Sequence, residues 1–221
     1  MVKLPLQKLF KAQTLFALGF FLIKKIYPFE CHSFYQCELD KFKRKACLNP
    51  KNYSFIHLTA ANKAQFLNAA IEQQLNLNSG HSVADRLAAG GKVFFVLQDD
   101  RVSCQLCMTQ GQLIVDTPFP LKLHFGDDSW FLSFLYTNPI DRGFGLANSL
   151  IEFACSELKQ EGGRRCIAHI RSTNLASIYA FEKAQWHFLV KLFSSPAKFK
   201  LFRLASLEKH QIKISRVDAN G

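Results

Sequence analysis

The sequence predicts an α/β or α+β sheet protein, and three observations carry that expectation. Short apolar or alternating runs such as KVFFVLQ, VSCQLCM and SWFLSFLYTN have the pattern of strands. Between such runs, ANKAQFLNAAIEQQLNL, ANSLIEFACSELKQ and LASIYAFEKAQ repeat their apolar residues at helical spacing. Hydrophobic residues make up 48% and charged residues 20% of the 221, a balance that fills a core and excludes a disordered chain.

The N-terminus is basic, with an uncharged run of 12 residues, AQTLFALGFFLI, between Lys11 and Lys24. A spanning helix needs about 18–20 apolar residues, so this run is too short. Lys24 and Lys25 follow directly with no small-residue cleavage pattern, which argues against a signal peptide. A helix packed on the rest of the protein is expected. With Lys8, Lys11, Lys24 and Lys25 around an apolar centre, it also has the make-up of an interfacial helix in peripheral contact with a membrane.

YSFIHL then reads as a short strand and ANKAQFLNAAIEQQLNL as one helix, with Asn78-Ser79-Gly80 as the turn after it. SVADRLAAGG is a short helix, capped by Ser82 and stopped by Gly90 and Gly91. KVFFVLQ and VSCQLCM form a hairpin around DDR, and LIVDT and PLKLHFG are two further strands flanked by proline. SWFLSFLYTN is an aromatic-rich strand. After the turn PIDRGFG, Ala147, Leu150, Ile151, Ala154 and Leu158 mark a helix that Gly162 and Gly163 end. RRCIAHI is a strand, Asn174 opens another helix, and WHFLVKLF and AKFKLFRLA close the chain as strands.

The net charge of +11 is uneven: +7 over residues 1–52, −1 over 53–186 and +5 over 187–221. Basic ends suit an anionic ligand, a nucleic acid or an acidic membrane face. The aromatic residues lie in apolar runs instead of alternating with Lys and Arg, so nucleic acid is not the expected partner. Seven cysteines in no secreted spacing indicate reduced thiols in a cytoplasmic protein. Cys104 and Cys107 sit in a strand, where alternation points them to opposite faces. Cys31, His32, Cys37 and Cys47 fit no zinc spacing, and no metal site is expected.

The segment that carries chemistry is Arg142-Gly143-Phe144-Gly145-Leu146-Ala147, between a strand and a helix. Its glycines let the backbone approach a ligand, and the first free N–H groups of the helix point at whatever sits there. Such a helix start binds anions, and Arg142 adds a multi-donor cation suited to a pyrophosphate. A dinucleotide-binding turn is excluded. Asn148 stands where the third glycine belongs, and the next strand closes with Arg171 instead of an acid.

Arg142, Gly145 and Ala147, with Pro139 upstream, match the acyl-CoA signature of the GNAT N-acetyltransferase superfamily. Downstream, Asn174, Ser177, Phe181-Glu182-Lys183 and Gln185-Trp186 follow at the family's separation. The chain therefore resembles that superfamily over residues 129–200, and more loosely from about residue 53. The resemblance implies a mixed, mostly antiparallel sheet flanked by helices, with central strands splayed to admit acetyl-CoA. It divides the chain into a basic N-terminal helical extension (1–52), an acyltransferase domain (53–207) and a C-terminal tail (208–221). It implies that backbone groups of Arg142, Gly143, Phe144, Gly145, Leu146 and Ala147 hold the pyrophosphate. Leu135 and Thr137 would pair with pantetheine, and Asn174 and Ser177 would face its arm. Asn174 also suits a helix N-cap.

One position departs from the family. Phe181 stands where many members place the Tyr that protonates the departing thiolate, and Phe has no proton to give. Tyr136 is the substitute acid considered and His169 the candidate base, although His169 also reads as a core residue. Asp127 and Asp128 read as a turn. The implied reaction is transfer of an acetyl group to a primary amine of a small molecule or protein. A non-catalytic acyl-CoA-binding protein and a basic interaction module are the alternatives. Acceptor choice would reside near residues 61–91 and 109–128.

Overall fold

The computed structural model describes residues 15, 16, 18–20, 22, 30–43, 52–115, 121–194 and 207–216. Its main sheet runs β2 (Ser54–Leu58), β3 (Lys92–Gln98), β4 (Arg101–Gln110), β7 (Ser129–Thr137), β8 (Arg165–Arg171), β1 (Glu30–Glu38) and β9 (His187–Ser194). Every pairing in it is antiparallel except β7 with β8. A second sheet joins β10 (Lys213–Arg216), β6 (Leu121–His124) and β5 (Gln112–Val115). The mixed, mostly antiparallel sheet flanked by helices is the expected architecture. The expected strand AKFKLFRLA lies outside the described residues.

Residues 30–38, assigned by sequence to an N-terminal extension, are instead an interior strand of this sheet. β1 is hydrogen bonded to β8 on one side and β9 on the other, and Cys31, Phe34, Tyr35 and Cys37 are at most 2% exposed. Its polar His32 and Ser33 are buried as well, which hides the strand from a reading of apolar alternation. The C-terminal segment is tied down too, since β10 pairs with β6.

The helix expected over ANKAQFLNAAIEQQLNL is two: α1 (Lys63–Phe66) and α2 (Ala69–Ser79). Leu67 is extended, and the Asn68 side chain accepts the Ile71 N–H at 2.9 Å. A capping Asn offers the backbone a local alternative to continuing the helix. α3 (Val83–Ala88) begins as expected, with Ser82 Oγ accepting the Asp85 N–H at 3.1 Å.

α4 (Leu146–Gln160) and α5 (Leu175–Lys183) cover one face of the main sheet. Leu150, Ile151, Ala154 and Leu158 of α4 and Phe181 of α5 pack there with Leu106, Leu132 and Ala168. Over β2–β4 the other face is covered by α2 and α3, through Leu75 and Leu87 against Phe95 and Cys107. Over β1, β8 and β9 it is covered by the small sheet and the residue before β10, through Leu123 and Ile212 against Phe34, Ile167 and Val190. Cys104 and Cys107 fall in cores on opposite faces, as alternation requires. β7 crosses between the two covers, and the site opens there.

Candidate functional site

β7 and β8 pair over four residues only, from Ser129↔Arg165 to Leu132↔Ala168. Beyond Leu132, β7 follows β4 to Thr137 while β8 follows β1 to Arg171. The strands part where β7 carries an extra residue. Phe134 pairs with Cys107 and Leu132 with Met108, so Ser133 is a bulge, and a bulge bends its strand. The result is the splay that the family resemblance implies. In the wedge, the facing backbone edges of Ser133–Thr137 and His169–Arg171 pair with no strand among the described residues. Unpaired strand edges accept an extended ligand through main-chain hydrogen bonds. Leu135 and Thr137, both half-buried, line the β7 side.

The glycine loop closes one end of the wedge. A 3₁₀ turn over Pro139–Asp141 leads to Gly143 at φ 94° and Gly145 at φ 78°, both left-handed. No atom lies within 4 Å of where a Cβ would stand at either position. Backbone conformation, not crowding, therefore calls for glycine here. Gly143, Phe144 and Gly145 donate no backbone hydrogen bond among the described residues. The N–H groups of Leu146 and Ala147 open α4 and lack intrahelical acceptors by geometry. No acid stands in the first turn of α4, so the positive end of the helix is not neutralised. Arg142 is exposed, and its Nε donates to the Thr137 carbonyl at 3.3 Å, which places it over the end of β7. Leu146 is 1% exposed and offers only its backbone.

Asp141, one residue before this loop, anchors it. The carboxylate is 3% exposed, pairs with both guanidinium nitrogens of Arg101, and accepts the Tyr53 hydroxyl at 3.2 Å. Burial raises its pKa, but the hydrogen bonds from Arg101, Ser103 and Tyr53 and the Arg101 charge together outweigh that and hold it below the usual value. Asn138 adds a second tie, its N–H donating to the Ser103 carbonyl at 2.9 Å. The loop is thus fastened to β2 and β4. No local pattern in the sequence marks Asp141, because its partners Arg101 and Tyr53 lie 40 and 88 residues away.

The remaining candidates separate into two groups. Asn174 caps α5, its side chain accepting the Ser177 N–H at 3.2 Å, so its carbonyl oxygen is engaged within the helix start. Phe181 is 2% exposed and packs edge-on against Trp186, centroids 4.8 Å apart; it is core. Tyr136 is half-buried and stacked with Phe134 at 6.5 Å. His169 lies across the wedge on the same sheet face, among Phe131 at 5.7 Å, Phe34 at 6.2 Å and His32 at 5.3 Å. Burial, reinforced by His32 and Arg171, pushes its pKa down to about 3. The imidazole is neutral at neutral pH and a weak base. Asp127 and Asp128 form the expected turn, with Asp128 held by Ser129 and Arg164.

Arg86 completes the face opposite α4. From α3 its Nη1 donates to Ser133 Oγ at 3.0 Å, and that hydroxyl donates to the Cys107 carbonyl at 3.3 Å. Among the described residues Arg86 pairs with no carboxylate, and none of them form a group of three His, Cys, Asp or Glu placed to hold a metal.

No family model matches the sequence, and no curated protein matches it. Solved structures do. The chain is similar to a Drosophila protein at 12% identity and a TM-score of 0.51, covering 83% of this chain and 57% of that one. It is also similar to a putative GNAT-family acetyltransferase from Novosphingobium aromaticivorans, at 13% identity, TM-score 0.49 and coverage of 75% and 62%. A GNAT-family acetyltransferase from Colwellia psychrerythraea follows at 12% identity, TM-score 0.49 and coverage of 80% and 60%. The likeness at 0.51 is one of fold. This chain spans 57%, 62% and 60% of the length of those three chains.

Proposed function

We propose that this chain is an acyl-CoA-dependent N-acyltransferase of the GNAT type, moving an acetyl group from acetyl-CoA to a primary amine by direct attack. One observation carries the reading: β7 parts from β8 immediately before a glycine loop whose free N–H groups open α4. The wedge suits the extended pantetheine arm, and the loop suits the pyrophosphate. Arg142 and the backbone of Gly143 to Ala147 would hold the phosphates, while Leu135 and Thr137 would pair with the arm. The amine would approach from the face of Tyr136, His169 and Arg86. Attack by the neutral amine forms the amide C–N bond and breaks the C–S bond; CoA leaves as thiolate, and the proton lost by the amine nitrogen reaches it through solvent, giving amide and free thiol. Alignment of amine and thioester, with N–H donors on the carbonyl oxygen, supplies the main acceleration.

A second reading is favoured by the acid–base inventory. Phe181 is core, and His169 is too weak a base to collect a proton at neutral pH, which suits a protein that binds acyl-CoA without turnover. A thiol-release assay with acetyl-CoA and a panel of amines separates the two. The six described cysteines are all buried, so these six add little background to that assay. Thiol release that depends on an amine supports transfer. Binding without release across the panel supports the second reading.

A further inference from the structure

The N-terminal helix has two apolar faces, and the fold uses one. Residues 15, 16, 18–20 and 22 are helical. Phe16 and Phe20, four apart, point inward with rings stacked at 5.9 Å, and Phe20 is 4% exposed. Lys191 Nζ of β9 lies 3.1 Å from the Phe16 ring centroid. Phe16 also lines a cavity of about 220 Å³ with Tyr35 of β1, Ile178 of α5 and Phe188 of β9. These contacts seat the helix on the sheet face that carries α5. Leu15, Leu18 and Leu22 recur three and four apart, the spacing of a single face. They are 56%, 49% and 63% exposed. Phe188, beside Phe16 in the cavity wall, adds apolar surface at 47% exposure.

The charge of the surrounding sequence points to its partner. Residues 1–29 contain five lysines, Lys3, Lys8, Lys11, Lys24 and Lys25, and no Asp or Glu. Protein–protein interface cores are depleted in lysine. A leucine stripe flanked in sequence by lysines without a single acid instead complements a diffuse anionic plane. Apolar insertion and basic attraction are the two signals that together hold a protein on a bilayer. The uncharged run between Lys11 and Lys24 is 12 residues, short of the about 18–20 that a crossing helix needs, so the proposed contact is in-plane. We infer that this helix docks the protein on an anionic phospholipid surface, with Leu15, Leu18 and Leu22 at headgroup depth.

The inference does not rest on the acyl-transfer reading. Its test is co-sedimentation of the full chain with vesicles of phosphatidylcholine alone and of phosphatidylcholine with phosphatidylserine, at low and high salt. The expected result is sedimentation with phosphatidylserine vesicles only, weakened at least about tenfold by high salt. A Leu15→Gln, Leu18→Gln, Leu22→Gln variant should stay folded, since about half or more of each residue is already exposed, and lose the sedimentation. Wild type left in the supernatant with phosphatidylserine vesicles would overturn the inference. So would equal binding to both vesicle types, or a folded triple variant that binds unchanged.

Discussion

Replacing Asp141 by Asn tests whether the glycine loop is held from behind. The substitution keeps the shape and one acceptor for Tyr53 or Arg101, but removes the charge that both guanidinium nitrogens of Arg101 face. Hydrogen bonds to charged groups contribute about 1.5–3 kcal/mol each. One of the two survives in neutral form, and the Arg101 side chain, 33% exposed, regains some water. A net loss of about 2 kcal/mol follows. For a chain of this size that lowers the melting temperature by about 4–8 °C. The folded carboxyl titrates below its ordinary value, so its stabilisation is complete above the unfolded pKa of about 3.9 and is lost as pH falls through the folded one. The gap between wild type and variant, measured by thermal denaturation, should therefore be full at neutral pH and close only in strong acid. Acetyl-CoA affinity should fall with it, because the loop's tie to Arg101 of β4 is weakened. A variant that melts with the wild type at pH 7 would refute this reasoning.

Three further outcomes are expected. Gly145→Ala meets open space but must hold φ 78°, which costs about 1–2 kcal/mol and should appear as a drop of about 2–8 °C in a thermal melt. Phe181→Tyr should not raise turnover in steady-state kinetics. It buries a hydroxyl beside Trp186, lowering stability by about 1–3 kcal/mol in denaturant titration. His169→Gln should leave the pH–rate profile between about pH 5 and 8 unchanged, because an imidazole with a pKa near 3 does not titrate there; an inflection present in wild type and absent in the variant would contradict that assignment.

Much of this was legible because it is local. The hairpin of β3 and β4, the start of α3 at Ser82 and the start of α5 at Asn174 each follow from side chains and turns within a few residues. The loop from Arg142 to Ala147 was legible for the same reason, since its glycines serve dihedral angles set within the loop itself. What escaped depends on distant partners. β1 is a strand because β8 and β9 flank it, and its buried His32 and Ser33 break the pattern that marks strands. Asp141 becomes an anchor only when Arg101 and Tyr53, 40 and 88 residues away, converge on it. Arg86 meets the Ser133 bulge across 47 residues, and no local spacing signals that approach. The break between α1 and α2 was local but overlooked: Asn68 is a cap inside an otherwise continuous helical pattern.

The central claim is that the loop and wedge form an acyl-CoA site, and calorimetric titration of acetyl-CoA tests it most directly. The control is the double variant Arg142→Ala, Gly145→Asp. Asp tolerates left-handed backbone better than most residues and is favourable beside a helix N-terminus, so the variant should fold while its carboxylate repels a pyrophosphate. Wild type should bind with micromolar affinity, and the folded variant should lose that binding. No heat of binding from a folded wild type, or equal affinity in the variant, would contradict the claim.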